Sequence, residues 1–170
     1  MTLSMYQAAI PPLTHSLSNL VSILSKAADH AEAKKIDPAV LISTRLYPDM
    51  FPLSRQVQIA SDIARRGVAR LAGVEAPAIE DNEVSFSDLS NRLQETIAYL
   101  KTFTADQIDG TETKSISLPI GKETMTFEGQ PFVLYFILPN VYFHVTTAYN
   151  ILRHCGVELG KRDYLGAPEA

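Results

Sequence analysis

The sequence predicts an all-α four-helix bundle with one small β-hairpin ahead of the last helix. Three observations predict it. Four stretches carry apolar residues three and four positions apart, the mark of helices that bury one face. The segment from Thr104 to Gly129 loses that period and alternates instead, as strands do. Fully stretched, the connection Val74–Val84 reaches at most ~36 Å, enough to run beside a second helix that rises ~28 Å. An up-down-down-up order is therefore allowed, and a plain up-down-up-down order is also open.

The first helix lies between Ser4 and about Lys35, with a stripe of Leu13, Leu17, Leu20, Leu24, Ala27 and Ala31. Pro11 and Pro12 near its front mean that the helix starts there or that a short turn is kinked against it. Ile36-Asp37-Pro38 stops it, because the residue before proline avoids the α region. Asp37 can then cap a short turn, Pro38 to Thr44, followed by the loop RLYPDMFP. The second helix runs from Leu53 to Leu71 with Ser54 as expected N-cap and Gly73 as its stop. Its Arg65, Arg66 and Arg70 sit toward the C-terminal half, where cations complement the helix dipole. Ser85 with Asp88 three residues on opens the third helix, whose stripe is Phe86, Leu89, Leu93, Ile97, Leu100 and Phe103. Ile116, Leu118 and Ile120, then Met125 and Phe127, alternate about Gly121-Lys122-Glu123 and predict the hairpin. The fourth helix spans about Phe132 to His154, apolar nearly all round, with Pro139 as a kink or a second start. The tail after Gly156 reads as too polar and glycine-rich for a fifth helix. It is expected to fold back across the bundle through Tyr164 and Leu165.

The 170 residues suit a single domain, 1–170. With 46% hydrophobic and 20% charged residues, the chain is neither disordered nor collagen-like. A net charge of −4 without a basic stripe argues against a nucleic-acid partner. No apolar run approaches the ~20 residues of a membrane span. The N-terminus lacks a basic region followed by an apolar one, so no secretory signal is expected. The single cysteine, Cys155, excludes an internal disulfide framework and fits a cytoplasmic location.

Catalytic signatures are missing: there is no glycine-rich phosphate loop, CxxC, HExxH or GxSxG. Polar residues on the most apolar helix stand out instead. Asn140, His144 and Thr147 share one face of the fourth helix, and each buried polar group costs about 1–3 kcal/mol unless it finds a partner. They form a structural hydrogen-bond network or line a pocket, and the pocket is preferred because so apolar a helix has little packing need of them. Gln56 and Gln58 flank Val57 on the second helix, so at least one points near the core. Asp62 shares a face with Gln58 and is expected at the solvent surface. His15, His30 and His154 are expected at the surface, and Cys155 as a small buried hydrophobe.

The stretches LYPDMFPLSRQVQIASDIA and LPNVYFHVTTAYNILRHCGVELGKRDYLG resemble a bacterial and fungal family of domains of unknown function. That family is placed in the DinB/YfiT-like superfamily of metalloenzymes, and the similarity runs over essentially the whole chain. The resemblance implies up-down-down-up order. It also implies a divalent metal held by one histidine of the second helix and a His-x-x-x-His pair of the fourth. Counted back from Gly156, the second of that pair falls on His144 and the first on Asn140, while the second helix has no histidine. An intact three-histidine site is therefore not expected, and zinc, nickel or iron is expected at low occupancy at most. His144 remains a candidate as lone ligand, general base or hydrogen-bond anchor. A core histidine satisfied by Asn140 or by a glutamine of the second helix stays open beside these.

The functional expectation is a small ligand in a polar pocket formed by His144, Asn140, Thr147, Gln58 and Gln56. Two alternatives stand beside it: a DinB-like metal- or thiol-dependent transferase or isomerase, and a non-catalytic dimerising module. Tyr135, Tyr142 and Tyr149, seven residues apart, could form an outer stripe and point to a homodimer unless the hairpin or tail covers it.

Overall fold

The computed structural model describes residues 3–121 and 123–167. Its elements are α1 (Met5–Lys34), α2 (Pro38–Ser43), α3 (Leu53–Ala72), α4 (Phe86–Leu100), α5 (Ala105–Ile108), β1 (Ser115–Ile120), β2 (Glu123–Glu128), α6 (Gly129–Pro131), a π-helical turn (Phe132–Ile137), α7 (Leu138–His154) and α8 (Lys161–Leu165). Helices α1, α3, α4 and α7 form the bundle.

Contacts between named residues fix its order. Ile137 meets Gly67 and His144 meets Gln56, so α3 and α7 run antiparallel. His30 approaches Gly156 while Pro11 and Tyr142 line one cleft, so α1 and α7 run parallel. Asp81 and Glu83, just ahead of α4, meet Arg55 and Gln58 in the first turns of α3. The connection after α3 therefore returns along its full length, and α4 descends beside α3. That is the up-down-down-up order. Leu13, Leu17, Leu20, Val57, Leu89, Leu93, Val145 and Ile151 meet in one apolar core.

Local chemistry sets most boundaries. Ser4 caps α1 through a reciprocal box with Gln7. The helix then continues through Pro11 and Pro12 instead of starting there. Ser54 does not cap α3. The helix begins at Leu53, as the segment predicts, with Pro52 in the cap position two residues ahead of Ser54; the Leu53 N–H donates to the Thr44 carbonyl at 2.9 Å and needs no side-chain cap. Gly73 ends α3 at a φ of 76°, the left-handed conformation that glycine adopts without strain. Ser85 and Asp88 close the predicted box at the start of α4.

The predicted hairpin forms and pairs Ile116 with Phe127 and Leu118 with Met125, with Glu123 opposite Ile120 in the second strand and not in the turn. Lys122 in its turn and the side chain of Ile120 lie outside the described residues. Phe127 packs against Phe132 and Phe136, with ring centroids 5.7 and 5.5 Å apart, and this ties the hairpin to the last helix.

Two short helices depart from the sequence reading. Four residues, Ala105–Ile108, turn helical in the stretch where the period vanishes, and they bury Ile108. The tail forms α8, where Asp163 accepts from the Gly160 N–H at 2.7 Å. A single turn is too short to show a period. Pro139 marks a second start: it sits in the first turn of α7, directly after the π-helical turn. The last helix is also less enclosed than its apolarity implies, since Leu134, Tyr135, Tyr142 and Phe143 are exposed. Among the described residues, no helix is long and apolar enough to cross a membrane.

Candidate functional site

The π-helical turn and Pro139 set the phase of α7 so that Val141, His144, Val145 and Ala148 face the bundle. Tight packing holds that phase. Gly67 of α3 lies so close to Ile137 that a Cβ built on it would stand 2.7 Å from the Ile137 side chain.

His144 and Gln56 meet across the α3–α7 contact, Nδ1 to Oε1 at 2.7 Å, and both side chains are buried. Gln56 also donates from Nε2 to the Phe51 carbonyl at 3.0 Å, which fixes its amide orientation. Oε1 is therefore the acceptor and His144 Nδ1–H the donor. In the neutral ring, Nε2 then carries the lone pair. Burial pushes the imidazole pKa below its ordinary value, and the positive charge of Arg55 adds to the shift. His144 is therefore neutral at pH 7. Among the described residues, no other hydrogen bond reaches the ring. The Phe143 ring stands edge-on to it, 5.2 Å away between centroids. Exposed Phe51 lies near the same end of α3, with the Arg55 guanidinium 6.0 Å from its ring centre.

The other predicted residues divide. Asn140 is half-buried and donates to the Phe136 carbonyl of its own helix at 2.7 Å. Thr147 is buried and donates to the Phe143 carbonyl at 2.8 Å. The three residues of the α7 face thus do not bond to one another. Gln58 is buried on the opposite side of Val57. It accepts from Arg55 at 3.2 Å and donates to Glu83 at 2.8 Å.

Asp62 is not a free surface carboxylate, as the sequence reading expected. Its Oδ1 accepts from Arg65 at 2.8 Å and from Arg92 at 2.9 Å, and its Oδ2 pairs with Arg66 at 3.3 Å. Arg65 and Arg92 are each 1% exposed. Arg65 therefore belongs to the core and not to a solvated helix end. Arg92 also meets Glu83 at 2.7 Å, Asp81 at 3.0 Å and the Glu80 carbonyl at 3.1 Å. Burial works against the charged Arg92 guanidinium, but Glu83, Asp62 and Asp81 together outweigh it and raise its pKa. Sequence reasoning missed this cluster. Its signal was an arginine between Leu89, Leu93 and Thr96 on a helix whose preceding connection carries Glu80, Asp81 and Glu83.

Among the remaining candidates, His154 is exposed, while His15, His30 and Cys155 are half-buried. Tyr135 and Tyr142 are exposed, but Tyr149 packs edge-on against Tyr164, so the tail interrupts the tyrosine stripe.

A metal bound by three histidines does not fit these residues. His144 offers one nitrogen, α3 presents an amide at Gln56, and the Asn140 amide is turned to its own helix. Among the described residues, no group of three or more His, Cys, Asp or Glu side chains could hold a metal ion. What the site offers is hydrogen bonding: a neutral imidazole acceptor at the edge of an aromatic surface.

Fold and site together define a DinB-like four-helix bundle without the superfamily's histidine set. Residues 5–165 match the family described as Domain of unknown function (DUF1993), and the chain belongs to that family. It is also similar to a crystal structure of a DinB family member protein from Shewanella denitrificans. The two are 42% identical, the match covers 97% of this chain and 93% of that one, and the TM-score is 0.91. No curated protein matches the chain.

Proposed function

We propose that the protein binds a small neutral molecule at the end of the bundle where α3 begins, around His144, without a resident metal. The observation that carries this reading is the fixed tautomer of His144. Gln56 occupies Nδ1, and the lone pair on Nε2 is left to accept a hydrogen bond from a ligand. Phe143, edge-on to the ring, supplies apolar surface beside it, and exposed Phe51 lies at the same end of α3. Gln58 and Arg55, tied to Glu83 and Asp81, brace the α3 side. Asn140 and Thr147 shape the α7 side with their own bonding already satisfied.

Benzamide, with an amide NH2 donor and one ring, is a suitable probe. Titration should move the ¹⁵N resonance of His144 Nε2 and the amides of residues 51–58 and 140–147 in a saturable way. His144→Phe should abolish the response. Absence of a response in the wild type, or its persistence in the variant, would overturn the reading. Elemental analysis of protein purified without added metal should find zinc, nickel and iron well below one atom per chain. One tightly held atom per chain would instead favour a DinB-like metalloenzyme.

The outer face of the π-helical turn supports a homodimer as a second element of the proposal, because Leu134 is 40% and Tyr135 76% exposed on it. A monomer mass by light scattering at micromolar concentration would remove the dimer and leave the ligand site untouched.

A further inference from the structure

A well-formed cleft lies away from His144. It lies on the far side of α7, where α1, α7 and α8 meet, and has a volume of about 700 Å³. Its walls are mainly rings and aliphatic carbons: Pro11, Pro12, Tyr142, Tyr164 and Leu165. The folded-back tail builds one wall and is held by several bonds. His15 Nε2 meets the Leu165 carbonyl at 2.6 Å, Asn19 donates to the Tyr164 carbonyl at 3.0 Å, and Lys26 pairs with Asp163 at 2.6 Å. Thr146 donates to the Tyr164 hydroxyl at 3.1 Å. A cleft kept open by so many ties on its α8 wall is a formed feature of the fold.

The prolines are the second observation. They lie seven and eight residues into a helix that begins at Met5. Interior proline destabilises a helix, because it removes an N–H and crowds the preceding turn. Lacking an N–H, Pro11 cannot donate to the Gln7 carbonyl four residues back. Gln7 is itself a lining residue of the cleft. The helix thus gives up a backbone bond at a residue that borders the cleft. Local rules broken at such a cost cluster at functional sites. Tyr142 adds a second polar point. Burial, helped by the neighbouring Tyr164, pushes its phenol pKa up, so the hydroxyl stays protonated and able to donate.

We propose that the α1–α7–α8 cleft is a second binding site, for a neutral phenolic molecule. Its ring lies among the proline and tyrosine rings, and its hydroxyl donates to the Gln7 carbonyl that Pro11 leaves without its helical partner. The lining residues carry no carboxylate or ammonium group that would call for an ionic ligand. The site is independent of His144.

The test is a titration with 4-ethylphenol followed by two-dimensional NMR. Saturable shifts should be confined to residues 7–16, 142 and 164–167. 4-Ethylanisole, with a methyl group in place of the phenolic proton, should bind about three- to tenfold more weakly, the usual worth of one net hydrogen bond. Pro11→Ala restores the N–H and should weaken the phenol by a similar factor without lowering Tm. Ala167→Trp, at the cleft mouth, should block binding while residues 51–58 keep their benzamide response. Shifts elsewhere, equal binding of the anisole, unchanged affinity in Pro11→Ala, or undiminished binding in Ala167→Trp would each overturn the proposal.

Discussion

On its α7 side, α3 is joined to its neighbour by neutral contacts: Gly67 against Ile137, and the Gln56 amide against the His144 imidazole. On its α4 side the same helix meets buried charge. Asp62 receives Arg65 and Arg92, and Arg92 goes on to Glu83 and Asp81 of the returning connection. The two sides differ in what happens when one partner is lost. A neutral donor or acceptor left alone costs the desolvation of one polar group. An ion left alone in the core costs more, about 3–5 kcal/mol. The charged side therefore clamps the topology, holding the crossover against α3. The neutral side is free to present a ring nitrogen.

The largest effect is expected on the charged side. Arg92→Met removes the common partner of Asp62, Asp81 and Glu83 and should cost about 3 kcal/mol, the lower end for a broken buried pair, since Asp62 keeps Arg65 and Arg66. For a chain of this length Tm should fall by about 6–12 °C, measurable by calorimetry. A loss below that of the neutral variants would reverse the comparison.

Gly67→Ala probes the tightest neutral contact. The added methyl has to displace the buried Ile137, and overpacking of this kind costs about 1–3 kcal/mol against a gain of ~1 kcal/mol in helix propensity. Urea unfolding should find a net loss. A gain would mean that the α3–α7 contact yields more easily than its geometry implies.

His144→Leu leaves the Gln56 oxygen without its partner and should cost about 1–3 kcal/mol. Adding Gln56→Met should recover part of the loss, so the double variant is less destabilised than the sum of the singles. Strict additivity would show that the two residues do not act as a pair.

The smallest effect is a dependence on pH. The folded-state pKa of His144 lies below its unfolded value, so the unfolded chain takes up a proton more readily. The stability contributed by the neutral ring is fully present above the unfolded pKa, about 6.5. It is lost as pH falls from there through the folded pKa, with a slope of at most about 1.4 kcal/mol per pH unit. Benzamide binding should weaken over the same window, because protonation removes the Nε2 lone pair. His144→Gln should flatten that part of the stability curve, as read from urea midpoints between pH 5 and 7.

The site was partly legible because a polar residue stands out on an apolar helix. His144 and the glutamines beside Val57 declared themselves in that way. Arg65 and Arg92 did not, since arginine is ordinary on a helix surface and only packing decides whether its head group reaches water. Asp62 was misplaced for the same reason: its partners come from another helix and from its own next turn. The cleft of α1, α7 and α8 was hidden because a single helical turn in the tail shows no period.

The sequence alone determined the four long helices, the hairpin, the stop at Gly73 and the cap at Ser85. Each follows from chemistry within a few residues: period, capping and turn preference. The path of the crossover, the choice of Gln56 over Asn140 as partner of His144, and the burial of two guanidinium groups were decided only by the tertiary structure. These depend on pairs of groups that are distant in the chain, and their energies exist only once the helices have packed and excluded water.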